Sequence, residues 1–345
     1  MFKTTWDGLI AMAKYLIVGP SWVGDMVMAQ SLFMTLKQRD NKAIIDVIGP
    51  NWSSPILARM PEVRHAITLP TGHGEWGIST RRKLGHSLRS EQYDQAIVMP
   101  RSWKSALVPF FAKIPRRVGF TGEQRFVLLN ERRKLDKNIL NQTVKRFTSL
   151  GLPKEIAYPP LDIPLPTLSV DLENQKKLYQ QHNLSNRPAI ALMAGAEFGP
   201  SKQWPIGYFH TLAKSAIEAG YQIWVLGGPK DAKDGDELTK ELGVFAHNLC
   251  GKTKLVDAID LLAAAEKAIS NDSGLMHIAA AVGTEVHGIY GSTSELFTPP
   301  LTENKTIHNL HLECSPCFKR TCPLGHTNCQ TQLTPDMIIR TVISP

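Results

Sequence analysis

The stretch KYLIVGPSWVGDMVMAQSLFMTLKQR, residues 14–39, decides the fold class. Residues 14–19 form a short apolar run of strand length, and Gly19 and Gly24 permit a tight turn after it. From Asp25 to Arg39, apolar residues recur with helical spacing. A strand, a glycine-containing loop and a helix in this order predict the first βα unit of a parallel sheet.

The same alternation continues along the chain, with one interruption. Five prolines between Pro153 and Pro166 indicate an interdomain linker. We therefore predict an α/β protein of two facing Rossmann-like domains, residues 1–165 and 166–345, with a ligand cleft at the carboxyl ends of the strands. The further predicted strands are 44–49, 95–99, 188–193, 221–227, 268–271 and 286–290, and the further predicted helices are 205–219, 255–265 and 273–281.

Composition agrees with two globular domains. The chain has 345 residues, 43% of them hydrophobic, and a net charge of +8. The charge is uneven: residues 1–165 contain 24 basic and 13 acidic residues, whereas residues 166–345 contain 15 and 18. The first half is therefore expected to meet an anionic partner.

No run of about 18 apolar residues and no secretory signal pattern is present, so we expect a cytoplasmic location. Met12 precedes the first strand, which makes residues 1–13 a candidate upstream extension.

Three segments carry candidate site residues. Asp25 lies in the first turn of its helix, where a carboxylate either stabilises the helix start or acts as a general base. Asp272 stands between a strand and a helix as a candidate N-cap, and Ser273, Gly274 and Leu275 present helix-start amides suited to a diphosphate. His277 follows one turn later.

The third segment, residues 194–205, is a glycine-rich loop with Lys202 just before a helix that a proline starts. A lysine there can pair with the charge of a leaving diphosphate. For both of the later segments the plain alternative is structural: a capped helix with a buried histidine, and a solvated loop lysine.

Together these motifs resemble glycosyltransferase family 9, the bacterial ADP-heptose:lipopolysaccharide heptosyltransferases, and most of all the members that add the second heptose of the inner core. The resemblance covers about residues 14–345. The segments that carry it, in order, are GPSWVGDMVMAQSLF, RSWKSALVPFFAKIPRRVGF, GAEFGPSKQWP, NDSGLMHIAAAVG and YGSTSELFTPPL.

The resemblance implies the GT-B fold and an inverting, metal-independent transfer of L-glycero-D-manno-heptose from ADP-heptose, which is a substrate; no cofactor is implied. By position, Asp25 corresponds to the catalytic base and Lys202 to the lysine near the diphosphate. The implied donor-binding residues are Glu197, Gly251, Lys252, Thr253, Asp272, Ser273, Gly274, Leu275 and His277. The N-terminal domain would bind the acceptor, Kdo-lipid A carrying one heptose, and the C-terminal domain would bind ADP-heptose.

A basic band extends from Arg101 to Arg146, with 12 basic and three acidic residues. No nucleic-acid-binding motif accompanies this charge, so we expect no nucleic acid partner. Given the resemblance, a phosphorylated glycolipid and a peripheral position on the inner membrane explain the charge better, although a plain solvated surface remains the alternative. The acceptor-binding candidates are Arg101, Lys104, Arg117 and Arg125.

The segment 314–329 contains four cysteines and a histidine, Cys314, Cys317, Cys322, His326 and Cys329. This spacing would suit a structural zinc ion, while free thiols or one disulfide are the default interpretation.

The sequence also allows two other interpretations of function. One is a sister transferase of the same family, such as heptosyltransferase I. The other is a non-catalytic basic binding module.

Overall fold

The structure, a computed structural model, describes residues 12–71, 75–154 and 162–343. Most of the candidate N-terminal extension and half of the proline-rich linker therefore lie outside the described residues. Contacts divide the chain into two units. The first contains the chain up to Ser21, Ala29–Leu140 and Lys145–Pro164; the second contains Trp22–Met28, Asn141–Val144 and the chain from Leu165 onward. The segment with Asp25 groups with the second unit, which a single division of the sequence at residue 165 does not anticipate.

The first unit is built on a six-stranded sheet of order β3-β2-β1-β4-β5-β6 in which every neighbouring pair is parallel. The strands are β1 Lys14–Val18, β2 Ile44–Gly49, β3 His65–Thr68, β4 Gln95–Val98, β5 Arg116–Phe120 and β6 Glu131–Arg133. The helices are α1 Val23–Arg39, α2 Ser54–Leu57, α3 Ile78–Ser87, α4 Leu107–Phe111 and α5 Thr143–Gly151, of which α1 and α5 begin in segments that belong to the second unit.

The second unit repeats this architecture with the parallel order β12-β11-β10-β7-β8-β9. Its strands are β7 Ala189–Met193, β8 Gln222–Val225, β9 Ala246–Asn248, β10 Lys267–Asn271, β11 Glu285–Ile289 and β12 Lys305–His308. Its helices are α6 Leu172–Gln181, α7 Ile206–Glu218, α8 Ala232–Thr239, α9 Leu255–Ala264, α10 Gly274–Ala281, α11 Asn328–Thr331 and α12 Pro335–Val342.

Burial of the central strands holds each sheet together. All five residues of β7 are buried, as are the last three of β1. Trp204 and Phe209 pack edge to face beside β7 in the core of the second unit, with ring centroids 4.8 Å apart. Because both faces of such a sheet are covered, its strands form continuous apolar runs rather than alternating patterns.

The predicted α/β class with two Rossmann-like domains is confirmed. The strands and helices that the sequence indicated are present, with ends shifted by one or two residues; α1, for example, begins at Val23 rather than Asp25. Among the described residues, no helix is long and apolar enough to cross a membrane.

Candidate active site

The strand order of the second unit brings two of the candidate segments together. In its sheet, β7 and β10 are neighbours. The chain continues from β7 to β8 toward one edge of the sheet and from β10 to β11 toward the other edge. Gly195 and Lys202 follow β7, whereas Asp272 and Ser273 follow β10. Ligands of doubly wound sheets bind where the strand order reverses in this way.

The start of α1 packs against the start of α10. A Cβ atom at Gly24 would lie 2.4 Å from Cδ2 of His277, and one at Gly274 would lie 2.7 Å from Cβ of Val23. Both positions therefore require glycine. This close approach places Asp25, in the first turn of α1, beside the loops that follow β7 and β10.

Lys202 and Asp272 form an ion pair in this site. Lys202 Nζ donates to Asp272 Oδ2 over 2.6 Å and to the Asp272 carbonyl over 3.1 Å. The Thr293 hydroxyl donates to the same carboxylate oxygen over 2.7 Å. Asp272 is only 6% exposed, so these donors replace the water that the carboxylate lost on burial.

The structure corrects the expectation that Asp272 caps α10. The N-cap is Ser273, in an extended conformation, and its side chain makes no capping hydrogen bond. The Asp272 carboxylate points instead to Lys202 and Thr293. The first amides of α10 therefore have no capping side chain, and they carry the positive end of the helix dipole.

The surroundings of Asp25 change its acidity. Desolvation by burial, reinforced by the nearby Asp272 carboxylate and opposed by Lys202, raises the pKa of Asp25 to about 6. Burial lowers the pKa of His277 to about 4, so its imidazole is neutral at neutral pH. A carboxylate with a pKa near 6 is ionised at pH 7 yet basic enough to accept a proton in a reaction.

Two cavities of the second unit meet at these groups. The larger, of about 530 Å³, extends from Trp22 past the start of α10 to Gly195, Asp231 and Thr253. The smaller, of about 230 Å³, is lined by Asp25, Glu197, Lys202, Asp272 and His277, among others. Ser273 and Gly274 line both cavities.

The structure distinguishes among the other donor-binding candidates. Leu275 and Thr253 line the larger cavity, and Glu197 lines both, although its carboxylate also pairs with Lys230 over 3.1 Å. Gly251 and Lys252 do not line either cavity. Lys252 is exposed in the turn after β9, and its Nζ donates to the Asn248 carbonyl.

The first unit has a separate cavity of about 520 Å³ at the carboxyl ends of its strands β1, β2 and β4. Lys104, a predicted acceptor-binding residue, lines it, and so does Arg81, which is only 5% exposed. Arg81 Nε donates to the Trp76 carbonyl over 2.9 Å. Arg101 is exposed, and its Nε donates to the Thr121 carbonyl.

The expectation that Arg125 binds the acceptor is wrong for this structure. Arg125 is 2% exposed, and its guanidinium donates to the carbonyls of Pro100 and Phe120, each over 2.6 Å. Arg117 likewise donates to the carbonyls of Ile114 and Leu128. Both side chains are held by backbone acceptors, so they stabilise the loops of the first unit.

The zinc hypothesis stays a prediction. The five cysteine and histidine side chains of residues 314–329 do line one small cavity of about 20 Å³. However, within the described ranges no three His, Cys, Asp or Glu side chains are placed to hold a metal ion, and all five cysteines of the chain are free thiols. The four cysteines and His326 thus lie near one another, as their spacing suggested, but these described residues are not arranged as metal ligands. Elemental analysis of protein purified without chelator tests the point directly.

Sequence reasoning missed several residues of the site. Asp231 and Lys254 line the larger cavity, and Phe198 and Thr298 line the smaller. The segment Gly227-Gly228-Pro229 after β8 is a signal that could have pointed to Asp231. Thr293 lies in the segment YGSTSELFTPPL, but nothing in the sequence relates it to Asp272.

An uncapped helix start, a half-buried lysine and a carboxylate of raised pKa lie together beside a Rossmann-like sheet, an arrangement suited to a ligand with a diphosphate. Comparison with known proteins specifies the class. The model of glycosyltransferase family 9 (heptosyltransferase) matches residues 81–328, and the chain belongs to this family.

Individual relatives agree with this assignment. Lipopolysaccharide heptosyltransferase 2 of Escherichia coli K12 is 44% identical over 335 residues, which cover 94% of this chain and 96% of that protein. Lipooligosaccharide heptosyltransferase 2 of Haemophilus influenzae is 47% identical over 306 residues, covering 86% and 88%. The structure of E. coli ADP-heptose lps heptosyltransferase II aligns with a TM-score of 0.85 at 41% identity, covering 95% and 96%. The chain is therefore a glycosyltransferase with the GT-B fold.

Proposed function

We propose that this chain transfers L-glycero-D-manno-heptose from ADP-heptose onto the first heptose of the lipopolysaccharide inner core. The observation that carries the proposal is that Asp25, Lys202 and the start of α10 line one cavity. The same reacting atoms can then meet a base for the acceptor hydroxyl. They can also meet a cation and helix-start amides that stabilise the leaving group.

The reaction is a single displacement with inversion. The Asp25 carboxylate takes the proton of an acceptor hydroxyl, and that oxygen forms a bond to the anomeric carbon of the donor. The bond from this carbon to the ADP oxygen breaks, and its electron pair leaves with ADP. Lys202 and the amides of α10 stabilise the negative charge that develops on the diphosphate.

The larger cavity suits the nucleotide part of the donor. Its lining is mostly apolar, with polar groups at a few points, as is usual for small-molecule sites. Ser273, Gly274 and Leu275 would meet the diphosphate, and Thr253 and Asp231 would face the nucleoside.

The acceptor is proposed to be Kdo-lipid A that carries one heptose. Its anionic groups would be attracted by the basic first unit, where Lys104 and Arg81 line a cavity. Since such an acceptor is held in a bilayer by its acyl chains, we propose a cytoplasmic enzyme that works at the inner membrane surface.

One assay separates this function from that of a sister transferase. ADP-heptose is supplied with two truncated acceptors, one carrying a single heptose and one carrying none. Transfer to the heptose-bearing acceptor supports the proposal. Transfer only to the heptose-free acceptor would assign the first heptose addition instead, and no transfer from ADP-heptose to either would reject the function.

A further inference from the structure

The Lys202–Asp272 ion pair belongs to a closed ring of contacts. Thr293 donates to Asp272 Oδ2 over 2.7 Å, and its chain neighbour Ser292 accepts a hydrogen bond of 3.2 Å from the Ser201 hydroxyl. Ser201 in turn is the chain neighbour of Lys202. The ring is thus closed by one ion pair, two hydroxyl hydrogen bonds and two stretches of backbone.

The members of this ring are shielded from solvent. Ser201 and Ser292 are each 2% exposed, and Thr293 is 7% exposed. A hydroxyl at such a position keeps its geometry because no water competes for its partner. The Lys202 ammonium is therefore restrained both from its own loop and from the carboxylate opposite.

The Cys-rich segment 314–329 supports the ring from outside. The Ser201 amide donates to the Arg320 carbonyl over 3.1 Å, and the Lys319 carbonyl also lies within hydrogen-bond distance of the Ser201 hydroxyl. A Cβ atom at Gly199 would lie 2.6 Å from the Arg320 carbonyl oxygen, so the two segments pack backbone to backbone. The Phe198 ring has Lys202 Nζ 5.0 Å and the Arg320 guanidinium 5.5 Å from its centroid.

We infer that Thr293 is a positioning residue that acts through Asp272 on Lys202, with Ser201 and Ser292 completing the restraint. The inference rests on the proposed function, because it assumes that Lys202 meets the diphosphate. Without the Thr293 hydroxyl, Asp272 loses one of the two side-chain donors to its Oδ2 atom, and the ammonium is no longer held where charge develops on the leaving group.

The test compares Thr293→Val, which removes the hydroxyl at equal size, with Thr293→Ser, which keeps it. Thr293→Val should lower kcat about tenfold, because a hydrogen bond to a charged group is lost, and KM for ADP-heptose should change less. Affinity for ADP, measured by calorimetry, should also fall, since ADP carries the charge of the leaving group. Thr293→Ser should restore both quantities to within about twofold of the parent.

Thr284→Val is a matched control. Thr284 is 5% exposed and donates to the Leu262 carbonyl over 2.6 Å, so its substitution costs a comparable buried hydrogen bond away from Lys202. This variant should lose thermal stability but retain kcat and ADP affinity.

A double-mutant cycle distinguishes positioning from general stabilisation. In a Lys202→Met background, Thr293→Val should lower kcat by less than about twofold, because the group through which it acts is gone. The inference would be overturned if Thr293→Val lowered kcat by the full tenfold in that background. It would also be overturned if Thr293→Val alone kept the parental kcat and ADP affinity. If the parent protein transfers no heptose, the proposed function fails, and ADP affinity in the same variants still decides whether Thr293 acts through Lys202.

Discussion

The Nζ atom of Lys202 lies 2.6 Å from Oδ2 of Asp272, and the two side chains are only 14% and 6% exposed. The two charges act in opposite directions on Asp25: the carboxylate raises its pKa and the ammonium lowers it, while burial makes the largest contribution. The electrostatics of the candidate base and of the leaving-group site are therefore linked through one ion pair.

The pH dependence of the reaction follows from this arrangement. Asp25 must be ionised to accept a proton, and its pKa is about 6. We expect kcat/KM to rise with pH through about 6 and then to level off. Initial rates between pH 4.5 and 8 check this; an acid limb near 4, the ordinary range of a carboxyl group, would contradict it.

Replacing Lys202 by methionine should change both rate and pH profile. Loss of the cation should lower kcat by about 100-fold or more, because leaving-group charge is no longer stabilised. It should also move the acid limb to higher pH, since Lys202 lowers the pKa of Asp25. Lys176→Met is the control, because Lys176 is 70% exposed in a surface pair with Glu173. If the acid limb of the pH profile does not move in Lys202→Met, Lys202 does not influence the pKa of Asp25.

Asp25→Asn should stabilise the fold at high pH. The folded-state pKa of Asp25 is raised, so its ionisation opposes folding: stability falls as pH rises from about 4 to 6 and stays lower above that. Asparagine carries no such penalty. We expect a gain of about 3 kcal/mol in the free energy of unfolding at pH 8 and little gain at pH 4. Denaturant titrations at both pH values measure it, and an equal effect at the two would argue against a buried, ionised Asp25.

Two basic residues of the first unit should behave differently. Lys104→Met should raise KM for the acceptor several-fold and leave KM for ADP-heptose unchanged, because Lys104 lines only the cavity of that unit. Arg125→Met should instead lower thermal stability, since it removes the guanidinium donors to the carbonyls of Pro100 and Phe120. Exposed Lys134→Met is the control. If Lys104→Met and Lys134→Met have the same acceptor KM, the cavity is not an acceptor site.

Much of the site could be predicted because it lies on βα turns. Lys202 and Asp272 follow the buried strands β7 and β10 of one sheet, and neighbouring parallel strands bring such positions to one edge of that sheet. Asp25 follows β1 of the other sheet and lies in the first turn of α1. Local sequence could not show that Asp272 pairs with Thr293, because that contact joins residues 21 positions apart.

Two other features could not be predicted, because charged residues suggested an exposed surface. β5 begins with Arg116 and Arg117, which read as part of a basic band rather than as a strand. Arg125 likewise looks like a surface cation in sequence, yet backbone carbonyls around it compensate its burial. Whether a cationic side chain is buried or exposed depends on the acceptors that the folded backbone supplies. Spacing in the sequence does not reveal these acceptors.

Turnover of Asp25→Ala, measured beside its affinity for ADP, shows whether Asp25 is the general base. Removing a general base should lower kcat by about 100- to 10,000-fold. ADP should still bind with close to parental affinity, because the groups proposed to hold it remain. Near-parental kcat in this variant would contradict the account and remove Asp25 from the mechanism.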